Sequence, residues 1–185
     1  MNALRSSIVL LLALYAASVI GQTAGVAERR YTLPDHGQFV LQVPRGWRDE
    51  LRQPPNRLPP TIVFGPASGK PFQILMTTLW PATKGRAPQS REQLRASVER
   101  AAQAVKDQAV ERELPVVEFQ GRSGPGFYFS ATDPAPKPGE YKFMTQGILR
   151  VGGLSVTFTI LTNEGQRGVV KQALAALAGA VQHGI

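Results

Sequence analysis

Two alternating runs of residues meet at a glycine pair in the stretch YKFMTQGILRVGGLSVTFTIL, from Tyr141 to Leu161. In the second run every other residue is apolar, so we predict a strand with one face in the core, formed by Val156, Phe158 and Ile160. The pair Gly152–Gly153 is a strong hairpin signal, because both positions of a tight turn need positive φ. The stretch therefore predicts two long antiparallel strands joined at those glycines.

Two amphipathic helices are predicted, one before and one after this hairpin. Ser90 and Gln93 have the spacing of a capping box, and Asn163 with Gln166 is predicted to cap the second helix. The apolar stripes are Leu94, Val98, Ala101, Ala102, Val105 and Ala109 in the first helix, and Val170, Ala173, Leu174, Leu177 and Val181 in the second. Each stripe needs a sheet face to cover, and the pattern leaves open whether the helices share one face. The tail from Gln182 is expected to fray.

Further segments have the composition and the flanking turns of strands. They cover residues 31–34, 38–43, 61–64, 72–80, 116–120 and 126–131. Together with the hairpin they predict a sheet of about six to eight strands, largely antiparallel because short turns join neighbouring strands. The predicted fold class is α+β, with two amphipathic helices flanking the sheet in a single domain over residues 28–185.

The segment Phe39–Trp47 reads Phe-Val-Leu-Gln-Val-Pro-Arg-Gly-Trp. It resembles the opening of PsbP-like domains, and the hairpin around Gly152–Gly153 with its following helix is similar to the end of that family. The resemblance implies an antiparallel sheet flanked by helices, as in the uncharacterised exported bacterial branch of the family. It also implies an accessory or binding module and not an enzyme. No binding residue is carried over, because no ligand motif matches.

The first 27 residues have the layout of a secretory signal peptide. Arg5 is their one charge, and a short apolar core leads into a run of small residues. Gly25 and Ala27 suit the two small subsites of signal peptidase, so we predict cleavage before Glu28. An uncleaved membrane anchor is the alternative, because the uncharged segment nearly reaches the ~20 residues that a spanning helix needs.

The amino-acid composition limits which compartments and which classes of partner are plausible for this protein. The chain has no cysteine and a formal net charge of +8, which becomes +7 once a leader containing Arg5 is removed. Cysteine-free export fits a bacterial periplasm or secretion, because small exported eukaryotic domains are often stapled by disulfides. Outside the cytoplasm we expect no nucleic acid, and an envelope protein or an anionic lipid or lipopolysaccharide surface as partner. A basic surface that only maintains solubility is the alternative.

No catalytic residue, cofactor or metal site is predicted. The only histidines in the sequence are His36 and His183, and neither has a neighbour at metal-ligand spacing. Ser68 and Lys70 could be imagined as a catalytic dyad, but their glycine and proline neighbours favour a plain loop. We therefore expect a non-enzymatic protein, with a hydrolase that uses an unrecognised site as an alternative.

A proline- and arginine-rich loop is predicted from Arg48 to Pro60. Long loops are often functional, and arginine and tryptophan are favoured at binding surfaces. The candidate partner-binding residues are Arg45, Trp47, Arg48, Arg52 and Arg57. The alternative is that the tryptophan packs at the end of the core and that the arginines are solvated.

A second hypothesis is a carrier of a small hydrophobic ligand, with a pocket between the sheet and a helix. Its lining would be Phe127, Phe129, Phe143 and Phe158. The simpler interpretation of these aromatic residues is that they form the core. A cavity of several hundred cubic ångströms between the rings would favour the carrier.

Overall fold

The computed structural model describes residues 25–55, 58–81 and 87–184. Within those ranges the chain forms β1 (Val26–Leu33), β2 (Gly37–Pro44), β3 (Trp47–Arg52), β4 (Thr61–Pro66), β5 (Gln73–Leu79), α1 (Arg91–Val105), β6 (Val117–Gly121), β7 (Gly124–Thr132), β8 (Phe143–Val151), β9 (Leu154–Thr162), α2 (Arg167–Ala178) and β10 (Val181–His183). A short 3-10 turn, Lys106–Gln108, extends α1.

The strands form two sheets. Seven strands pair in the order β3-β4-β5-β9-β8-β7-β6, and three pair in the order β1-β2-β10. Every pair is antiparallel. The predicted α+β class, with a large antiparallel sheet and two helices, is confirmed. The division into two sheets was not predicted, because strand periodicity does not tell which strands pair.

The two helices cover opposite faces of the seven-stranded sheet. On one face α1 packs through Leu94 and Val98 against Phe127 and Phe129 of β7. On the other face α2 and the three-stranded sheet enclose the larger core, which includes Phe158. Since neighbouring residues of a strand point to opposite faces, the central strands are buried on both sides. The sequence pattern left open whether the helices share one face of the sheet, and the structure places them on opposite faces.

The predicted hairpin joins β8 to β9. Val156, Phe158 and Ile160 are buried, as predicted. Gly152 has a φ of +61°, but Gly153 does not have a positive φ, so the expectation for both turn residues was wrong. A single positive φ at the first central position is enough for a type II′ turn, which also joins twisted strands.

The two helix starts differ from each other. Ser90 and Gln93 form the predicted capping box of α1. The predicted cap of α2 by Asn163 is wrong: this helix begins at Arg167 after Gln166, with no side-chain cap. The Asn163 side-chain oxygen instead accepts a hydrogen bond of 3.0 Å from the Lys142 N–H. A pattern of residue types cannot show that an acceptor is already used by a neighbouring strand.

The tail does not fray as expected. Val181–His183 forms β10 and pairs with Val40 to Gln38 of β2. The Gln182 side chain donates to the His36 carbonyl at 2.9 Å and accepts from the Gly153 N–H at 2.8 Å. Three residues are too few to show strand periodicity, so this element depends on contacts far away in the sequence.

Most of the predicted leader lies outside the described residues, which begin at Gly25. Val26 and Ala27 belong to β1 and pair with Pro44 and Val43, so the first strand starts before the predicted cleavage site. In the part of the chain that the structure describes, no helix is long and apolar enough to cross a membrane.

Candidate functional site

The predicted arginine loop is partly a strand. Trp47–Arg52 forms β3 at the edge of the large sheet, paired with β4, so the loop prediction was wrong over that stretch. Only the first of its six residues is buried. Because β3 has a neighbour on one side and mostly water around it, no apolar alternation marks it in the sequence. The turn before it holds Arg45, and Arg57 lies outside the described residues.

Trp47 is buried, whereas the described candidate arginines are exposed. Its ring centroid lies 5.3 Å from that of Phe72 and 6.1 Å from that of Phe64, and only 6% of the residue is exposed. The core role considered as the alternative is therefore the observed one. Two exposed arginines remain in this region, Arg45 in the turn before β3 and Arg48 on β3 itself.

Carboxylates interleave with the arginines of β3. Arg52 pairs with Glu50 at 3.0 Å, and this hydrogen bond and charge hold the pKa of Glu50 below its usual value. Asp49 accepts from Arg29 at 2.9 Å and from the Tyr31 hydroxyl at 2.8 Å. Burial, helped by the hydrogen bond to Asp49, raises the pKa of the Tyr31 phenol. These contacts tie β1 to β3 and leave a surface of mixed charge.

A cleft of about 530 Å³ lies between α2 and strands β7 and β8. Its floor contains Ser130, Thr132, Phe143 and Thr145, and its wall is the flank of α2 formed by Arg167, Val170, Lys171 and Leu174. The connection from Thr162 to Gln166 closes one end. We name this feature the helix–sheet cleft.

The anchoring of α2 explains why the cleft exists. At its start, the Gln166 side chain donates to the carbonyls of Lys70 and Pro71 at 3.2 and 3.1 Å. At its end, the Ala178 carbonyl accepts from the Arg122 N–H at 2.7 Å. The helix therefore runs across the strands, from the start of β5 to the β6–β7 turn. The Phe143 end of the outer strands stays uncovered on this face.

The hydroxyl groups on the floor already have partners. Ser130 and Thr145 share a hydrogen bond of 2.8 Å. The Thr132 hydroxyl and N–H both donate to Glu111, at 2.5 and 2.9 Å. Burial acts to raise the pKa of Glu111, but these hydrogen bonds outweigh it and the net shift is downward. The floor therefore presents an apolar ring and satisfied polar groups.

The rim of the cleft is basic. Arg167 and Lys171 are exposed on the same flank of α2, four residues apart. Neither forms an ion pair within the described ranges of the chain. Glu164 also lines the cleft, but it pairs with Lys142 at 2.8 Å. The Lys142 ammonium group lies 5.5 Å from the centroid of Phe143.

Comparison with solved structures finds a chain of the same architecture. The solution structure of cyanobacterial PsbP (CyanoP) from Synechocystis sp. PCC 6803 matches with a TM-score of 0.51. The match covers 88% of this chain and 96% of that one, at 13% sequence identity. The chain has a PsbP-like fold. No protein-family model matches the sequence, and a comparison with curated proteins finds no match either.

The PsbP-like fold confirms what the resemblance at Phe39–Trp47 implied about architecture. At 13% identity the likeness concerns the fold alone.

The PsbP-like fold does not bring the four predicted pocket aromatics together. Phe127 and Phe129 are buried under α1, and Phe158 is buried on the opposite face. Of the four, Phe143 lines the helix–sheet cleft. The pocket predicted between those rings was therefore wrong, although a cleft between sheet and helix exists.

Two sequence signals could have located this cleft. The residues of α2 that line it recur at positions 167, 170, 171 and 174, one flank of a helix. Ser130, Thr132 and Thr145 place hydroxyls on the sheet face that also carries Leu149 and Phe158. Each signal is weak alone, because it depends on which strands are neighbours.

The residues considered for chemistry do not converge. His36 is bonded through Nδ1 to the Pro34 carbonyl at 2.7 Å and stacks on Trp80 with centroids 4.4 Å apart. Ser68 and Lys70 lie in an exposed turn. Over the described residues, no group of three or more His, Cys, Asp or Glu side chains could hold a metal ion.

Proposed function

We propose that this protein is a non-catalytic binding module that holds an apolar ligand in the helix–sheet cleft. The observation that carries the proposal is the cleft itself, about 530 Å³ in volume with Phe143, Val170 and Leu174 in its lining. Ligand sites are typically concavities of ~300–1,000 Å³ with mainly apolar walls and a few polar groups. Of the functions considered from the sequence, the small-ligand carrier is the one that this geometry favours.

The chemistry of the lining supports binding over turnover. A hydroxyl nucleophile needs an effective base within hydrogen-bond reach. The Ser130 and Thr145 hydroxyls bond to each other, and the base beside the Thr132 hydroxyl is Glu111, whose pKa is lowered. A carboxylate with a lowered pKa is a weak base at neutral pH. We place the module outside the cytoplasm, on the strength of its predicted leader and its lack of cysteine.

Filling the cleft should weaken ligand binding while the protein stays folded. Ser130 is exposed and lines the cleft from β7, so Ser130→Trp would occupy the space above the floor. We expect the neutral dye N-phenyl-1-naphthylamine to gain fluorescence with the wild-type protein, and its affinity to fall about tenfold or more in Ser130→Trp. Titration of the dye against each purified protein measures the effect.

The matched control is Thr32→Trp. Thr32 is an exposed strand hydroxyl on β1, so the substitution adds the same ring away from the cleft. Its dye affinity should stay within about twofold of the wild type. Equal losses in both variants, or no dye binding by the wild type, would remove the cleft as the binding site.

A second candidate function is contact with an anionic surface through the arginines near β3. The net charge of +8 and the exposed pair Arg45 and Arg48 favour it. Near an anionic membrane each basic residue contributes about 1 kcal/mol. The pairing of Arg52 with Glu50 weakens this candidate relative to the cleft.

Charge reversal tests the arginine surface. Arg45→Glu with Arg48→Glu should lower binding to vesicles containing anionic phosphatidylglycerol by about tenfold or more at low salt. The control pair, Arg100→Glu with Arg112→Glu, makes the same charge change at exposed residues elsewhere. Cosedimentation with the vesicles measures binding. Similar losses in both pairs would indicate general attraction and would eliminate the β3 surface.

A further inference from the structure

We infer that the ligand of the helix–sheet cleft is a single-chain amphipathic anion, a linear alkyl chain that ends in a carboxylate or a phosphate monoester. The inference rests on the proposed function and adds the ligand class. It follows from the way α2 places apolar and cationic side chains along the same wall.

The wall combines two kinds of contact. Val170 and Leu174 are partly buried and face the cleft, where their side chains can cover an alkyl chain. Arg167 and Lys171 lie on the same flank, each three residues before one of these apolar residues. A ligand lying along the cleft would therefore meet apolar surface and positive charge together.

The two positive charges at the rim are not balanced by carboxylates of the described residues. Glu164 is the one carboxylate in the described lining, and the Lys142 ammonium group at 2.8 Å offsets it. Among the described residues, neither the guanidinium of Arg167 nor the ammonium of Lys171 has an ion-pair partner, so both can donate hydrogen bonds to a ligand. Arginine and lysine bind carboxylate and phosphate oxygens by charge-assisted hydrogen bonds, so an anionic head group complements this rim.

The volume admits an alkyl chain of ordinary length. A methylene group occupies roughly the volume of a water molecule, about 30 Å³, so a chain of about ten to sixteen carbons needs about 300 to 480 Å³. One such chain fits a cleft of about 530 Å³. The floor ring of Phe143 provides a flat apolar contact for the chain.

The test compares ligands that differ only in the head group. Decanoate, decyl phosphate and 1-decanol compete with N-phenyl-1-naphthylamine for the purified protein at neutral pH, below their micellar concentrations. We expect at least one anion to bind about tenfold more tightly than the alcohol. The carboxylate and phosphate arms show which head group is preferred, and inorganic phosphate, which has no chain, should not displace the dye.

Neutralising the rim should remove that preference. In Arg167→Gln with Lys171→Gln we expect the anions to bind no more tightly than 1-decanol, while the alcohol keeps its wild-type affinity. The matched control, Arg45→Gln with Arg48→Gln, removes the same charge from exposed residues near β3 and should keep the preference. All four substitutions are at exposed positions, and thermal unfolding checks that each variant is folded.

The outcomes separate the two proposals. If the dye and 1-decanol bind but the anions bind no better, the cleft remains a binding site and the anionic ligand class is wrong. An equal loss of anion preference in both variant pairs also overturns the inference, because overall charge would then explain it. If neither the dye nor any chain binds, both this inference and the proposed function fail.

Discussion

Replacing Phe158 by alanine is expected to lower the free energy of unfolding by about 3–5 kcal/mol, the usual range for a buried aromatic residue cut to alanine. Phe158 is 1% exposed and sits on β9, between β5 and β8. Its ring packs edge-to-face on Phe119, with centroids 6.1 Å apart. Because strands hold the surrounding residues on three sides, the space left by the ring cannot close by small movements.

Equilibrium unfolding in urea measures this loss. The matched variant Phe158→Leu keeps most of the volume and should cost only about 1–1.5 kcal/mol. A domain is stable by ~5–15 kcal/mol, so the alanine variant should still fold and show a lower midpoint. A loss below about 1 kcal/mol in Phe158→Ala would contradict the packing of α2 and the small sheet over this strand.

Replacing Gly147 by alanine is expected to cost about 3 kcal/mol or more, at the upper end of what overpacking costs. Gly147 lies in the middle of β8, opposite Tyr128 of β7 and Phe158 of β9. A β-carbon there would overlap the main-chain oxygen of Phe127 and come within 2.6 Å of the Phe158 ring and 2.8 Å of the Tyr128 β-carbon. A backbone atom in the middle of a sheet cannot move without breaking strand pairing.

The control is the same substitution where there is space. Gly168 lies in α2, and no neighbouring atom lies within 4 Å of a β-carbon at that position. Gly168→Ala should raise stability by up to about 0.5–1 kcal/mol, because alanine favours a helix. Urea unfolding of the two variants should therefore show shifts of opposite sign. Equal stability of Gly147→Ala and the wild type would show that β7 and β8 are not packed this closely.

Local patterns predicted the elements whose partners are near in sequence. The hairpin at Gly152–Gly153 and the capping box at Ser90 and Gln93 depend on interactions across a few residues, so their residue types are informative. The alternation of Val156, Phe158 and Ile160 records burial of one face, because β9 lies in the middle of the sheet.

Elements with distant partners were missed or misjudged. The strand β3 is exposed along five of its six residues, so its composition predicts a loop. The strand β10 has three residues and forms because it pairs with β2, which lies more than 140 residues earlier in the chain. The Gln166 side chain makes the predicted local contact, accepting from the Asn163 N–H at 2.7 Å. Its amide group also donates to carbonyls about a hundred residues away, which no local pattern predicts.

Only part of the candidate site could likewise be predicted from local sequence patterns. The sequence patterns of the helix stripe and the aromatic residues led to the hypothesis of a pocket between sheet and helix, with Phe143 in its lining. It could not show that Phe127 and Phe158 face opposite sides of the sheet, since that depends on strand order. It also could not show that Arg167 and Lys171 border a space and not a packed surface.

Composition and periodicity were therefore sufficient for the α+β class, the antiparallel hairpins and most of the apolar stripe of each helix. These properties follow from each segment's need to bury one face, and that need is recorded locally in the chain. The predicted stripes ran too far, because Ala109 lies beyond the end of α1 and Val181 belongs to β10. The division into two sheets, the placement of the helices on opposite faces and the helix–sheet cleft were decided only by the tertiary structure. Each of them depends on which distant segments pair, and pairing is selected by the packing of the whole core, not by any single stretch of residues.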